Sequence, residues 1–161
     1  MSHSVIPYED YVIKVAVLNG KMIDYVYTKR DFVPDRADLI DTYKVICGKG
    51  VSKGSGKGSN VVTNINLLSP GEICNASFGL LYTANTLSEA QNAMSYVKTR
   101  LFRFLVSLLC DSGVNGISQY RFGLVPLQDF SHPWADQMLY DKYGLSPEEI
   151  EYIENTIKPM E

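Results

Sequence analysis

The sequence predicts an α+β domain: a curved, mostly antiparallel sheet packed on one long helix, with two short helices at the C-terminus. Strand signals fill the first half of the chain, and helical spacing of apolar residues begins only near residue 88. The chain has 161 residues, of which 45% are hydrophobic, so one domain can bury a core of its own. With no internal repeat and no linker, we expect residues 1–161 to form a single domain.

Runs of β-branched and aromatic residues predict the strands. The first two are Val12 to Leu18 and Met22 to Thr28, joined by the hairpin turn signal Asn19-Gly20. The other predicted strands are Tyr43 to Cys47, Val61 to Leu67, Ile73 to Tyr82 and Tyr120 to Leu127.

Three segments predict helices. Ser88 to Leu109 is the long one, because its apolar residues follow helical spacing along its whole length. Ala135 to Tyr143 is a shorter helix that Gly144 ends. Ser146-Pro147-Glu148-Glu149 begins the last helix, with Ser146 as the cap and proline at the first position. Trp134, just ahead of these two helices, is expected to anchor the core.

Charge divides the chain into three regions. Residues 1–41 have a net charge of -2, residues 42–128 carry eight basic and three acidic side chains, and residues 129–161 carry two basic and eight acidic ones. We therefore distinguish an N-terminal hairpin region (1–41), a basic core (42–130) and an acidic helical tail (131–161). A basic middle between acidic ends favours an anionic partner met by one face, although an isolated domain with uneven surface charge has the same pattern.

The basic core contains a lysine-rich segment without acidic residues. From Thr42 to Gly71 there are four lysines and no Asp or Glu, and Gly48 to Asn60 consists largely of glycine, serine and lysine. Ammonium groups neutralise phosphates, and glycines let backbone N–H groups approach a polyanion closely. The candidate phosphate contacts in this loop are Lys49, Lys53 and Lys57.

Side chains near the ends of predicted strands are candidates for rigid contacts to DNA. Lys44 and Arg121 hold such positions, and the fork of Arg121 can read guanine. Asn60, Asn64 and Asn66 offer the donor and acceptor pair that adenine readout requires, but asparagines at strand ends also satisfy local backbone groups. The arginines of the long helix either reach DNA, lie on a solvated face, or bind helix C-terminal carbonyls.

Several catalytic motifs are missing or incomplete. Gly56-Lys57 is followed by Gly58 instead of Ser or Thr, and Val51 stands where a phosphate-binding loop has its first glycine. No Asp or Glu lies two residues before a lysine, and no Asn/Asp-Pro-Pro-Tyr/Phe segment occurs. We expect no catalysis from this chain alone.

The odd cysteine count and the hydropathy of the chain bear on its location. Cys47, Cys74 and Cys110 have no CxxC spacing, which fits buried thiols in a reducing cytoplasm. With His3 and His132 far apart, no zinc site is expected. No apolar run reaches the length of a membrane span.

Two stretches resemble a known family. One is Tyr96-Val-Lys-Thr-Arg-Leu-Phe-Arg-Phe-Leu-Val-Ser-Leu108. The other is Phe122-Gly-Leu-Val-Pro-Leu-Gln-Asp-Phe130, followed by Trp134-Ala-Asp136, Leu139-Tyr140, Tyr143-Gly-Leu145 and Glu148 to Met160. Together they are similar to the C-terminal region of bacterial restriction-modification proteins that carry an adenine-N6 DNA methyltransferase. The resemblance covers about residues 42 to 161, and the chain departs from the pattern at Leu109 to Gly116 and in the sequence of the glycine-rich loop.

This resemblance implies a target-recognition domain of a type II restriction-modification enzyme, which reads double-stranded DNA for a separate methyltransferase and possibly nuclease domain. The chain would be a fragment or subunit of that enzyme. S-adenosylmethionine and magnesium would belong to the catalytic domains, and this chain would hold no cofactor.

Two alternatives stay open. An interaction module that positions a methyltransferase or nuclease without touching DNA fits the net charge of -3. A small metal-dependent nuclease would use scattered acids such as Asp38, Asp41 and Glu72.

Overall fold

The computed structural model describes residues 13–19, 22–33, 35–49, 61–109 and 119–160. This part of the chain is α+β, as the sequence predicts, but its strands form two small sheets instead of one curved sheet. Strands and helices are numbered separately, each in chain order. The strands are β1 (Ile13–Asn19), β2 (Met22–Thr28), β3 (Tyr43–Gly48), β4 (Thr63–Leu68), β5 (Glu72–Cys74) and β6 (Phe78–Ala84).

The first sheet contains the predicted hairpin. β1 and β2 pair antiparallel in one uninterrupted register, from Ile13 opposite Thr28 to Asn19 opposite Met22. The short strand β5 lies on the other side of β1 and runs parallel to it, so the order is β2-β1-β5. An ion pair of 3.0 Å between Lys14 and Glu72 joins β1 to β5.

The second sheet has the order β4-β3-β6, and both pairs are antiparallel. The predicted strand Ile73 to Tyr82 is in fact two strands, because a turn after Cys74 separates β5 in the first sheet from β6 in the second. Both ladders of β3 contain a register shift, which a bulge in the neighbouring strand produces.

The central strand β3 has a different core on each of its faces. Val45 and Cys47 belong to the core that the helices cover, whereas Ile46 between them belongs to the core between the two sheets. The second sheet is therefore the middle layer of three, with the first sheet on one side and the helices on the other.

The predicted long helix is two helices. α1 (Leu87–Lys98) packs on the second sheet, and α2 (Arg100–Leu108) packs against the remaining helices. Between them Thr99 is extended, with φ -62° and ψ 152°. Its hydroxyl donates to the carbonyl of Tyr96 at 2.7 Å and accepts from the N–H of Phe102 at 3.2 Å, so it closes one helix and caps the next.

The C-terminal helices match the prediction closely. α3 (Asp136–Tyr143) ends at Gly144, which has the left-handed φ of 64°. α4 (Pro147–Thr156) begins with a complete capping box between Ser146 and Glu149. None of the helices in the part of the chain described is long and apolar enough to cross a membrane.

The prediction of a last strand from Tyr120 to Leu127 is wrong. The structure has a 3-10 helix at Gln119–Phe122 instead, followed by irregular chain that leads to α3. Trp134 is buried in the helix-side core, as predicted, and its Nε1 donates to the carbonyl of Asp129 at 2.8 Å.

Candidate nucleic-acid interface

Lys49 is the candidate phosphate contact of the loop that lies among the described residues. It follows β3 directly, its side chain is exposed, and its backbone N–H donates to the carbonyl of Ser77 at 2.9 Å. That bond ties the first residue after β3 to the turn before β6. Lys49 is thus an exposed cation at the end of a rigid strand.

Three further candidates, Lys53, Lys57 and Asn60, lie outside the described residues. Their assignment as DNA contacts stays a prediction. Any test of the loop therefore begins with Lys49, for which the structure gives a position.

Lys44 is not displayed to a ligand, which corrects its assignment as a DNA contact. The residue is only 4% exposed, and its ammonium donates to the carbonyls of Leu39 (2.8 Å), Ile40 (3.3 Å) and Thr42. Burial lowers the pKa of this ammonium from its ordinary value, while the nearby charges of Cys74 and Glu72 act in the opposite direction. Lys44 fastens the segment before β3 to that strand.

The structure also contradicts the assignment of Arg121 as a DNA contact. It lies in a 3-10 helix and not on a strand, and it is 3% exposed. A base-reading guanidinium must present its fork at the protein surface, and this side chain is packed inside.

Of the two candidate asparagines on β4, Asn66 binds the local backbone. Its side-chain oxygen accepts from the N–H of Leu67 at 3.0 Å, which supports the local alternative over adenine readout for this residue. Asn64 lies in the bulged part of β4 with a φ of 52°, a left-handed conformation that asparagine tolerates better than most residues. A Cβ on Gly48 would lie 3.1 Å from the Asn64 amide nitrogen, so the two residues approach closely.

The arginines of the predicted long helix also bind within the protein. Arg100 forms an ion pair of 2.7 Å with Glu154 of α4. Arg103 is fully buried, and its Nε donates to the carbonyls of Lys98 and Thr99, both at 3.2 Å. The expectation that such side chains bind helix C-terminal carbonyls is confirmed for Arg103.

A cleft of about 660 Å³ lies beside Lys49, and no pattern in the sequence predicts it. One wall is the edge strand β6, from Gly79 to Tyr82, and the opposite wall is the irregular segment at 125–127. Tyr96 and Phe102 contribute aromatic lining from α1 and α2. We call this space the β6 cleft. Leu127, on the wall of the cleft, is 81% exposed.

The polar groups of the β6 cleft have partners inside the protein. The hydroxyl of Tyr82 donates to Glu89 at 2.7 Å, which is the main reason that its pKa rises to about 12. The hydroxyl of Tyr96 donates to the carbonyl of Pro126 at 2.7 Å, and burial raises its pKa to about 12 as well. The lining therefore presents mainly apolar and aromatic surface, with the cation of Lys49 at its border.

Hydrogen bonds from two helices fix the chain segment that follows the wall of this cleft. Asn92 donates to the carbonyl of Phe130 at 2.9 Å, and the N–H of Trp134 donates to the hydroxyl of Ser95 at 2.8 Å. Gln128 is buried, donates to the hydroxyl of Tyr143 and accepts from Lys142. These bonds hold the 128–134 segment on α1 and α3.

Neither the thiols nor the carboxylates of the described residues form an evident catalytic or metal site. Burial raises the pKa of Cys47 to about 12 and also raises that of Cys74, so neither is an activated nucleophile. In the described ranges no group of three or more His, Cys, Asp or Glu side chains could hold a metal ion. The three acids of the nuclease alternative each pair with a neighbouring base: Asp38 with Arg36, Asp41 with Arg30, and Glu72 with Lys14.

Comparison of the chain with protein-family models, with curated proteins and with solved structures finds no match.

Proposed function

We propose that this chain is a target-recognition domain that binds double-stranded DNA and positions a separate adenine methyltransferase, and possibly a nuclease, on its site. The observation that carries the proposal is the placement of Lys49. It is an exposed cation at the end of β3, and it opens the lysine-rich segment of 49–57. A fixed starting point lets the following lysines track a phosphate backbone.

The distribution of the other charges supports this assignment. The acids of α4 lie on a helix that packs against α2. Lys44, Arg103 and Arg121 are buried and cannot contribute to a basic surface, so the proposal assigns the phosphate contacts to Lys49 and to the lysines that follow it in the sequence. A DNA duplex would therefore meet the end of the second sheet where β3 leads into the lysine-rich segment.

The alternative function, an interaction module for a methyltransferase or nuclease domain, is favoured by the β6 cleft. Exposed leucines lie along it, including Leu80 on β6 and Leu127 opposite. Apolar clefts beside an edge strand are common sites for protein segments. One domain could have both functions. Because Lys49 borders the cleft, a protein segment bound there would lie next to the proposed DNA contact.

The test is a fluorescence-anisotropy titration of a pool of random duplex DNA at several salt concentrations, with sequencing of the bound fraction. Lys49→Ala should weaken binding to every sequence and lower the salt slope by about one. Lys158→Ala is the matched control, because Lys158 is an exposed lysine just after the acidic helix α4.

Equal effects of Lys49→Ala and Lys158→Ala would remove Lys49 from the interface. An enriched motif in the bound fraction would support sequence reading, whereas salt-dependent binding without a motif would restrict the function to nonspecific DNA binding. No binding at low salt would contradict the DNA proposal and leave the interaction module.

A further inference from the structure

Two small residues leave space in the β6 cleft between the second sheet and α1. Gly79 of β6 lies opposite Cys47 of β3, whose thiol belongs to the helix-side core, so a side chain at position 79 would point towards the helices. A Cβ there would meet the Cys47 sulfur at 3.8 Å, an ordinary contact, and the φ of Gly79 is not left-handed. Neither space nor backbone conformation requires this glycine, and a glycine inside a strand often marks the close approach of a ligand. Ala93 of α1 adds only a methyl group to the lining.

The rest of the lining favours an aromatic body. Five aromatic residues line the cleft: Tyr82, Tyr96, Phe102, Phe122 and Phe130. The hydroxyls of the two tyrosines donate to Glu89 and to the carbonyl of Pro126, so both are already used within the protein. A ligand with many polar groups would lose hydrogen bonds to water that these side chains do not replace. The lining therefore suits rings, which gain from edge and face contacts with other rings.

The charge of the cleft lies at one end. Among the described lining residues Lys49 alone is charged, and it is exposed. Its backbone N–H binds the carbonyl of Ser77, two residues before Gly79, so this cation stands at the start of β6. About 10 Å further along the strand, Tyr82 holds the carboxylate of Glu89. An anionic group on a ligand is therefore attracted to the Lys49 end and repelled from the other end.

We propose that the β6 cleft binds a small aromatic anion, whose rings fill the space beside Gly79 and Ala93 and whose acidic group contacts the ammonium of Lys49. The cleft volume of about 660 Å³ is within the range of sites that hold small molecules. A protein segment brings two polar backbone groups with each residue, which the side chains of this lining do not match. The site needs no DNA, so the inference goes beyond the proposed function and does not depend on it.

Two probes that differ by one charge test the proposal. 8-Anilinonaphthalene-1-sulfonate has the rings and the acidic group, and N-phenyl-1-naphthylamine has the same rings without the sulfonate. Both gain fluorescence in an apolar site, so each can be titrated into the full chain without DNA. Lys49→Ala should raise the dissociation constant of the sulfonate about fivefold and leave that of the neutral probe unchanged. Lys49→Arg should restore sulfonate binding, and Lys158→Ala, on an exposed lysine after α4, is the matched control.

Gly79→Leu tests the position of the rings. Its side chain would occupy the cleft, and we expect the affinity of both probes to fall roughly tenfold. Circular dichroism shows whether this variant is folded, and the exposed Lys49 variants decide the question if it is not. Equal effects of Lys49→Ala on the two probes, or unchanged binding of both to folded Gly79→Leu, would overturn the proposal. Failure of the wild type to bind either probe would also overturn it and would leave the cleft to a protein segment.

Discussion

The carboxylate of Asp136 caps α2 from outside that helix. Its Oδ1 accepts from the backbone N–H of Arg100 at 2.7 Å and from that of Leu101 at 3.2 Å. These are the first two residues of α2, whose N–H groups have no carbonyl partner within the helix. Because Asp136 begins α3, one side chain fixes the start of α2 and its position against α3.

Asp136→Ala should therefore lower the free energy of unfolding by about 1–2 kcal/mol, as loss of a helix cap usually does. Urea denaturation followed by the fluorescence of Trp134, the only tryptophan in the chain, measures the change. Asp141→Ala is the matched control, because Asp141 lies on the same helix and its carboxylate accepts from Gln137 at the surface. Equal losses in the two variants would contradict the capping role.

Thr99 offers a second test of the break between α1 and α2. Thr99→Ala removes both the bond to Tyr96 and the cap on Phe102, and we expect a loss of about 1 kcal/mol. Thr99→Ser keeps the hydroxyl and should recover most of that stability in the same urea assay. If serine were no better than alanine, packing of the methyl group and not the hydroxyl would explain the position.

The break at Thr99 also shows why a sequence pattern predicts helices better than their interruptions. Apolar residues keep helical spacing from Ala90 to Leu108, so the pattern continues unchanged through Thr99. The capping box at Ser146 was predicted because serine, proline and glutamate stand together at a boundary. The second half of the cap on α2 comes from Asp136, far along the chain, where local patterns carry no information.

The candidate site was predicted less well than the helices, because the exposure of a side chain also depends on contacts between distant parts of the chain. Lys44 and Arg121 were assigned to DNA because they lie near the ends of predicted strands, yet both are buried. Whether a lysine reaches solvent or the carbonyls of a preceding turn depends on tertiary packing. Lys49, between a strand and a glycine-rich segment, is exposed, and its phosphate contact stays a prediction.

Replacing Lys44 should change stability, whereas replacing Lys49 should change DNA binding. Lys44→Met leaves carbonyls of the 39–42 turn without their shared donor, so we expect a loss of about 1–2 kcal/mol in unfolding free energy. DNA affinity and its salt slope should stay as in wild type, in contrast to Lys49→Ala. Urea denaturation and anisotropy titrations on the same preparation provide both readouts. A reduced salt slope for Lys44→Met would return it to the interface.

The raised pKa values of three tyrosines predict that the free energy of unfolding falls at high pH. The pKa values of Tyr82, Tyr96 and Tyr140 rise to about 12, in the first through its bond to Glu89 and in the other two through burial. An acid with a raised pKa in the folded state keeps its proton longer there than in the unfolded chain. Its stabilising contribution is therefore complete below pH 10, the unfolded value, and is lost as the pH rises towards about 12.

Tyr82→Phe isolates one of these contributions. Without the hydroxyl the variant loses the bond to Glu89, so it should be less stable than wild type by about 1 kcal/mol at neutral pH. Ionisation removes the same bond from the wild type at high pH, so the two free energies of unfolding should converge between pH 10 and about 12. Urea denaturation at a series of pH values measures both curves, with Tyr152→Phe, on an exposed ring, as the control. Parallel curves for wild type and Tyr82→Phe would show that the bond to Glu89 does not govern this part of the alkaline transition.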